Sequence, residues 1–204
     1  VAAESNIGVN TYPDLSLYPS NSTPNFVKKI NNTLLRRMAE LDKKKLPPII
    51  ADGESGFGGI YNVYELTNQF IDSGVSGIHF EDQLTSEKKC GHVGGKVVIP
   101  THEYIKKLNA ARLSSDVSGV PIIIIARTDA MNAKLMTSDF DDRDSKYLSK
   151  NRTSDGYFLI ENNHEMAITK SLNYAEYADV VWCETNTPDL GFAKEFADEI
   201  RKSH

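Results

Sequence analysis

Four carboxylates lie at or just after the ends of predicted strands: Asp14, Asp52, Glu54 and Glu81. Brought together, like charges repel and push each other's pKa values up. A hard divalent cation relieves that repulsion, and Mg²⁺ takes oxygen ligands while keeping several waters. Asp52-Gly53-Glu54 therefore reads as a Mg²⁺ site, with the other acids holding bound water. Gly56-Phe57-Gly58-Gly59 follows and lets the backbone approach a ligand closely. It matches neither a Walker nor a dinucleotide fingerprint.

A second group is Lys88-Lys89-Cys90-Gly91-His92. A free thiol has a pKa of ~8.5, lowered beside cations. Lys88, Lys89, His92 and Lys96 are the cations expected to do this, giving a thiol that exchanges a proton near neutral pH. A buried small hydrophobe fits such a polar loop poorly. Cys183, inside an apolar run, reads as core. Arg127 ends the most apolar run, where a guanidinium suits bidentate binding of a substrate carboxylate. His79, two residues before Glu81, either faces the site or is a satisfied core histidine. A metal, an acid–base thiol and an arginine together suit a polycarboxylate, a 2-hydroxy or 2-oxo acid whose C–C bond breaks.

These groups need a scaffold that brings distant segments together. Continuous apolar runs at Pro47–Asp52, Val75–Asp82, Val120–Asp129 and Asp179–Thr185 read as strands buried on both faces. Val1–Asn6 reads as the tail of another. Helical stripes lie between: Phe26 to Leu41 after Thr23-Pro24, Val63 to Ile71, Tyr104 to Leu113 after Thr101, and Met166 to Ala175. Leu190 to Ile200 follows Thr187-Pro188. The stripes are assigned to the core. Such alternation implies a parallel sheet with helical crossovers. Every strand ends in charge (Glu4, Asp52, Glu81, Arg127, Glu184), and convergence of strand ends on one site favours an α/β fold of the (β/α)8 TIM-type barrel. About five of its eight strands are present. Two connections exceed plain turns. Residues 83–100 read as a catalytic loop, and residues 130–160 as a long surface excursion or subunit contact.

Composition narrows the class. The 204 residues, 40% hydrophobic, suffice for one globular domain, and the net charge of −5 argues against a nucleic-acid partner. No apolar run approaches the ~20 residues of a membrane span, and two cysteines favour a reducing compartment.

Lys88-Lys89-Cys90-Gly91-His92 resembles the signature of isocitrate lyase, and Ala51–Gly59 resembles that family's metal loop. Tyr12–Pro19, His79–Gln83, Ala126–Asp129 and Trp182–Thr185 match further segments in the same order. The resemblance spans the whole chain. It implies Mg²⁺-dependent retro-aldol cleavage of isocitrate to glyoxylate and succinate, the first step of the glyoxylate cycle, by a homotetrameric barrel. It makes Asp52 the direct metal ligand, with Asp14, Glu54 and Glu81 around the metal largely through water. Cys90 becomes the acid that protonates the succinate carbanion, and His92 tunes it. Gly91, His79, Arg127, Trp182 and Glu184 line the substrate, with Arg127 on the glyoxylate carboxylate. A cytoplasmic location is expected, or a glyoxysome or peroxisome in a eukaryote.

The family's Ser-Gly-Trp-Gln segment would precede Val1, and its Asn-Cys-Ser-Pro-Ser segment would follow His204. The chain therefore reads as the central part of a single catalytic barrel domain, 1–204, inactive or unstable alone. The neighbouring alternative is 2-methylisocitrate lyase, whose loop more often reads Lys-Arg-Cys-Gly-His. A non-catalytic truncated relative is a third reading.

Overall fold

The computed structural model describes residues 15–41, 45–91 and 93–204. The expected strand at Val1–Asn6 lies outside them. The rest alternates strand and helix. Helix α1 (Ser22–Glu40) precedes β1 (Ile50–Asp52), α2 (Ile60–Asp72), β2 (Gly77–Glu81) and β3 (Lys96–Val98). Then come α3 (Thr101–Ser118), β4 (Ile123–Thr128), β5 (Ala133–Met136), α4 (Asp142–Ser145) and β6 (Leu148–Arg152). The chain continues through β7 (Phe158–Ile160), α5 (Asn163–Ala175), β8 (Val180–Cys183) and α6 (Leu190–Ser203).

The four predicted apolar runs form one sheet, in the order β1-β2-β4-β8, and every pairing is parallel. This is an α/β fold whose strands and crossover helices form an arc of a (β/α)8-type barrel. Side chains alternate between its faces. Ala51, Ile78, Phe80, Ile124 and Ala126 point toward the helices and join a core with Val63, Leu66, Phe70, Tyr104 and Leu108. Burying each large apolar side chain contributes about 1.5–3 kcal/mol. The opposite face carries the site. In register, Asp52 stands beside His79 and Ile125, while Glu81 stands beside Arg127 and Trp182.

The two long connections are not plain loops. β3, β5, β7 and β6 form a second sheet in that order. It closes over a small core of Val98, Met136, Tyr147, Phe158 and Met166. The excursion is thus ordered structure joined to the C-terminal root of the cysteine loop.

Some boundaries differ from the sequence expectation. α1 starts at Ser22, so Pro24 sits inside the first turn rather than at the first helical position. α6 starts at Leu190, where the Asp189 side chain accepts from Phe192 N at 3.0 Å and replaces the expected Thr187 cap. Leu41, Leu113 and Leu190, assigned to core stripes, are exposed. Leu41 and Leu190 lie at helix ends, where the apolar stripe runs past the covered face, and Leu113 lies within α3 on a side left uncovered.

Candidate active site

The ends of β1, β2, β4 and β8 deliver Asp52, Glu81, Arg127 and Trp182 with Glu184 to one mouth. Asp52 leads into a tight turn. Its Oδ1 accepts from Glu54 N at 2.7 Å, and Glu54 itself adopts a φ of 54°. A non-glycine residue at positive φ stores strain, which clusters at functional sites. Gly53 makes the turn possible: a Cβ there would meet the Phe80 ring at 2.5 Å and His79 O at 2.9 Å. Glu54 is buried and accepts from Ser16 Oγ at 3.0 Å and from the Tyr18 hydroxyl. The Lys88 ammonium pairs with it too. Burial and the Glu54 charge hold the Tyr18 hydroxyl well above the usual tyrosine range.

Arg127 sits at the centre. Its Nε lies 3.2 Å from Asp129 Oδ2, and its Nη2 lies 3.4 Å from Glu81 Oε2 and 3.8 Å from Glu184 Oε2. The Trp182 ring lies 5.0 Å from the guanidinium carbon, a cation–π distance. Burial works against the Arg127 charge, but Asp129, Glu81 and Glu184 more than offset it and raise the pKa. Glu81 is pushed well above the ordinary carboxylate range by burial and by the Asp129 charge, against the pull of Lys88 and Arg127.

His79 stands at this mouth, beside Asp52 and Trp182. Its ring packs edge-on against Trp182 with centroids 4.9 Å apart, and Nδ1 lies 3.7 Å from Asp52 Oδ1 without a hydrogen bond. Burial lowers its pKa.

The cysteine loop is pinned at its neck. Leu84 N donates to Val97 O at 2.8 Å, and Ile99 N donates to Asp82 O at 2.9 Å. Gln83 reaches across: its Nε2 donates to Glu81 Oε1 at 3.2 Å and Lys89 O at 2.9 Å, while its Oε1 accepts from Lys89 N at 3.0 Å. Gly91 is buried against the mouth, where an added Cβ would lie 2.6 Å from Glu184 Oε1 and 3.1 Å from Arg127 Nη2. Cys90 is a half-buried free thiol on this loop.

The three lysines expected around that thiol bond to carboxylate and carbonyl oxygens. Lys88 pairs with Glu54, Lys89 Nζ donates to Gly95 O at 3.0 Å, and Lys96 Nζ donates to Asp129 Oδ1 at 2.6 Å. Buried carboxylates and carbonyls attract these ammonium groups more strongly than a thiol does. His92 and Asp14 lie outside the described residues. Cys183 is mostly buried, and burial pushes its thiol up to about 12, as fits a core position.

Metal fit rests on the donor set. Asp52, Glu54 and Glu81 offer only oxygen, and the Asp52 side chain is 43% exposed and accessible from the mouth. Among the described residues no three potential ligands form a closed cage. Mg²⁺ uses one or two carboxylates directly and keeps its waters, and Asp52 is the carboxylate open to the mouth. The residues present therefore fit a hard, partly hydrated cation.

Gln83 and Asp129 also reach the site, and neither is among the residues assigned to it from the sequence. Both continue the two-residue period beyond a strand, Glu81 to Gln83 and Arg127 to Asp129, which was the available signal.

The profile of the isocitrate lyase family matches residues 3–151 and 147–204. The chain belongs to the isocitrate lyase family. It is 51% identical over 208 residues to isocitrate lyase of Corynebacterium efficiens, covering 98% of this chain and 48% of that protein. It is 50% identical over 216 residues to isocitrate lyase of Escherichia coli, covering 100% and 50%. The chain thus spans about half the length of these relatives. Among solved structures it is similar to oxaloacetate acetylhydrolase bound to 3,3-difluorooxalacetate, with a TM-score of 0.67 and 26% identity over 94% of this chain and 52% of that one. A 2,3-dimethylmalate lyase of the PEP mutase/isocitrate lyase superfamily shares the fold, with a TM-score of 0.63 and 24% identity over 92% and 49% of the two chains.

Proposed function

We propose that the natural protein carrying this chain is a carbon–carbon lyase that cleaves isocitrate to glyoxylate and succinate with Mg²⁺. The observation that carries this reading is Gly91, next to the Cys90 thiol, packed against Glu184 and Arg127 at the mouth formed by four strand ends. Asp52 would hold the ion directly, with Glu54, Glu81 and Asp14 around it through water. Such an ion supplies positive charge where negative charge develops as the C–C bond breaks.

This chain's own residues do the rest. Arg127 binds the carboxylate of the glyoxylate half, with its guanidinium fixed between Asp129 and the Trp182 ring. Glu184 and His79 complete the wall. Cys90 gives its proton to the carbanion left on the succinate half, and His92 sits beside it in sequence to assist. Gly91 leaves room for the substrate next to Arg127.

The same reading makes this the first step of the glyoxylate cycle, carried out by a cytoplasmic or peroxisome-type homotetramer, with residues 1–204 as the central part of one catalytic domain. Family membership supports it. The test offers the natural full-length protein isocitrate and 2-methylisocitrate in competition and follows glyoxylate against pyruvate. Preferential glyoxylate release is expected. Preferential pyruvate release would move the protein to the methylisocitrate lyases.

A further inference from the structure

Lys96 is the first residue of β3 and is fully buried, as is its partner Asp129. Lys96 Nζ donates to Asp129 Oδ1 at 2.6 Å. Among the described residues Asp129 Oδ2 has no hydrogen bond; it lies 3.2 Å from Arg127 Nε, while Arg127 Nη2 donates to Oδ1 at 3.4 Å. One carboxylate thus stands between two cations. A buried ion pair costs much of its attraction in desolvation, so it is weak grounds for stability and calls for another role.

The location suggests that role. Lys96 follows Gly94-Gly95 at the C-terminal root of the Cys90 loop, and the pairing of β3 with β5 slips in register between Lys96 and Val97. The second sheet therefore sends the Lys96 ammonium to the carboxylate that contacts Arg127. Glu81 and Glu184 also attract Arg127, from 3.4 and 3.8 Å. Without Lys96, Asp129 would be free to turn toward the guanidinium and draw it away from the mouth.

We propose that Lys96 is a positioning residue for substrate-carboxylate binding: it fixes Asp129, Asp129 fixes Arg127, and the root of the Cys90 loop is thereby tied to the arginine. The inference rests on the reading of Arg127 as the carboxylate-binding group.

The test is steady-state kinetics of isocitrate cleavage by the natural full-length protein with Lys96→Met, Lys96→Arg, Asp129→Asn and the Lys96→Met/Asp129→Asn pair. Lys96→Met is expected to raise KM roughly 10- to 100-fold, as for loss of a charged hydrogen bond, with a smaller change in kcat. Lys96→Arg should recover part of the KM. In the Asp129→Asn background the lysine change should add little, and this comparison decides the matter where Lys96→Met alone fails to fold. A Lys96→Met protein with wild-type KM, or a lysine effect of the same size with and without Asp129, would overturn the proposal. Wild type active, Arg127→Lys impaired and Lys96→Met unimpaired would remove the Lys96 role alone. Wild type that neither cleaves isocitrate nor binds glyoxylate by calorimetry would overturn both readings.

Discussion

Glu81 and Asp82 are neighbours at the end of β2, yet they enter two different charge networks. Asp82 is saturated. It accepts from Thr128 Oγ1 at 2.7 Å, Asp129 N at 2.8 Å and Tyr174 Oη at 2.9 Å. Lys170 Nζ lies 4.0 Å from Asp82 and 3.5 Å from Asp144, and donates to Ile99 O at 2.9 Å. Among the described residues, Glu81 accepts one hydrogen bond, from Gln83, and otherwise relies on longer ion pairs. Around it His79 Nδ1 lacks a hydrogen-bond partner among the described residues, and Arg127 Nε and Asp129 Oδ2 face each other at 3.2 Å as an ion pair without hydrogen-bond geometry. Unsatisfied buried polar atoms are costly, so a group of them marks where a ligand belongs. The saturated network holds strands to helices, and the unsaturated one is where the proposed function puts the substrate.

Breaking each network should give opposite signatures. Asp82→Ala leaves the buried donors Thr128 Oγ1, Asp129 N and Tyr174 Oη without their acceptor and should cost roughly 3–5 kcal/mol of stability in urea unfolding. A loss under 1 kcal/mol would mean that the network is not structural. Glu81→Gln removes a carboxylate whose ionised form burial disfavours, so stability should hold or rise. Activity should fall roughly 10- to 100-fold, as for groups around a metal. Equal losses of stability and activity would erase the distinction.

Two glycines divide in the same way. Gly53→Ala meets backbone and a packed ring and should destabilise by about 1–3 kcal/mol. Gly91→Ala meets only the side-chain ends of Glu184 and Arg127 and no backbone, so melting should change little while KM rises. A normal KM for Gly91→Ala would remove that residue from the substrate path.

The smallest expected effect concerns Lys107, whose Nζ donates to Ser55 O at 2.7 Å beneath the metal loop. Burial lowers its pKa to about 8 from the 10.5 of a free lysine. Between those values the unfolded chain holds more protons, so this group's contribution to stability rises with pH. Melting of wild type relative to Lys107→Met should therefore shift in favour of wild type between about pH 8 and pH 10. A shift the other way would contradict the buried, depressed lysine.

The sequence made the parallel arc legible because strands buried on both faces must be continuous apolar runs, as Ile122–Ala126 is. The second sheet was not legible. Leu148-Ser149-Lys150-Asn151-Arg152 is mostly exposed, and a half-covered short strand carries too little apolar signal to separate it from a loop. The site residues on strand ends were visible for the same reason as the strands. The partners of the lysines were not, because Lys88 and Lys96 sit near Cys90 in sequence while their carboxylates come from β1 and β4. Proximity along the chain was a poor guide to which charge a buried ammonium would choose.

The most direct test strips the natural full-length protein of divalent ions, adds isocitrate, and follows glyoxylate before and after Mg²⁺ is restored. The account predicts no glyoxylate from the stripped protein and full recovery with Mg²⁺, with Asp52→Asn failing to recover. Glyoxylate release that ignores Mg²⁺, or an Asp52→Asn protein that recovers like wild type, would contradict the carboxylate mouth as the centre of the reaction.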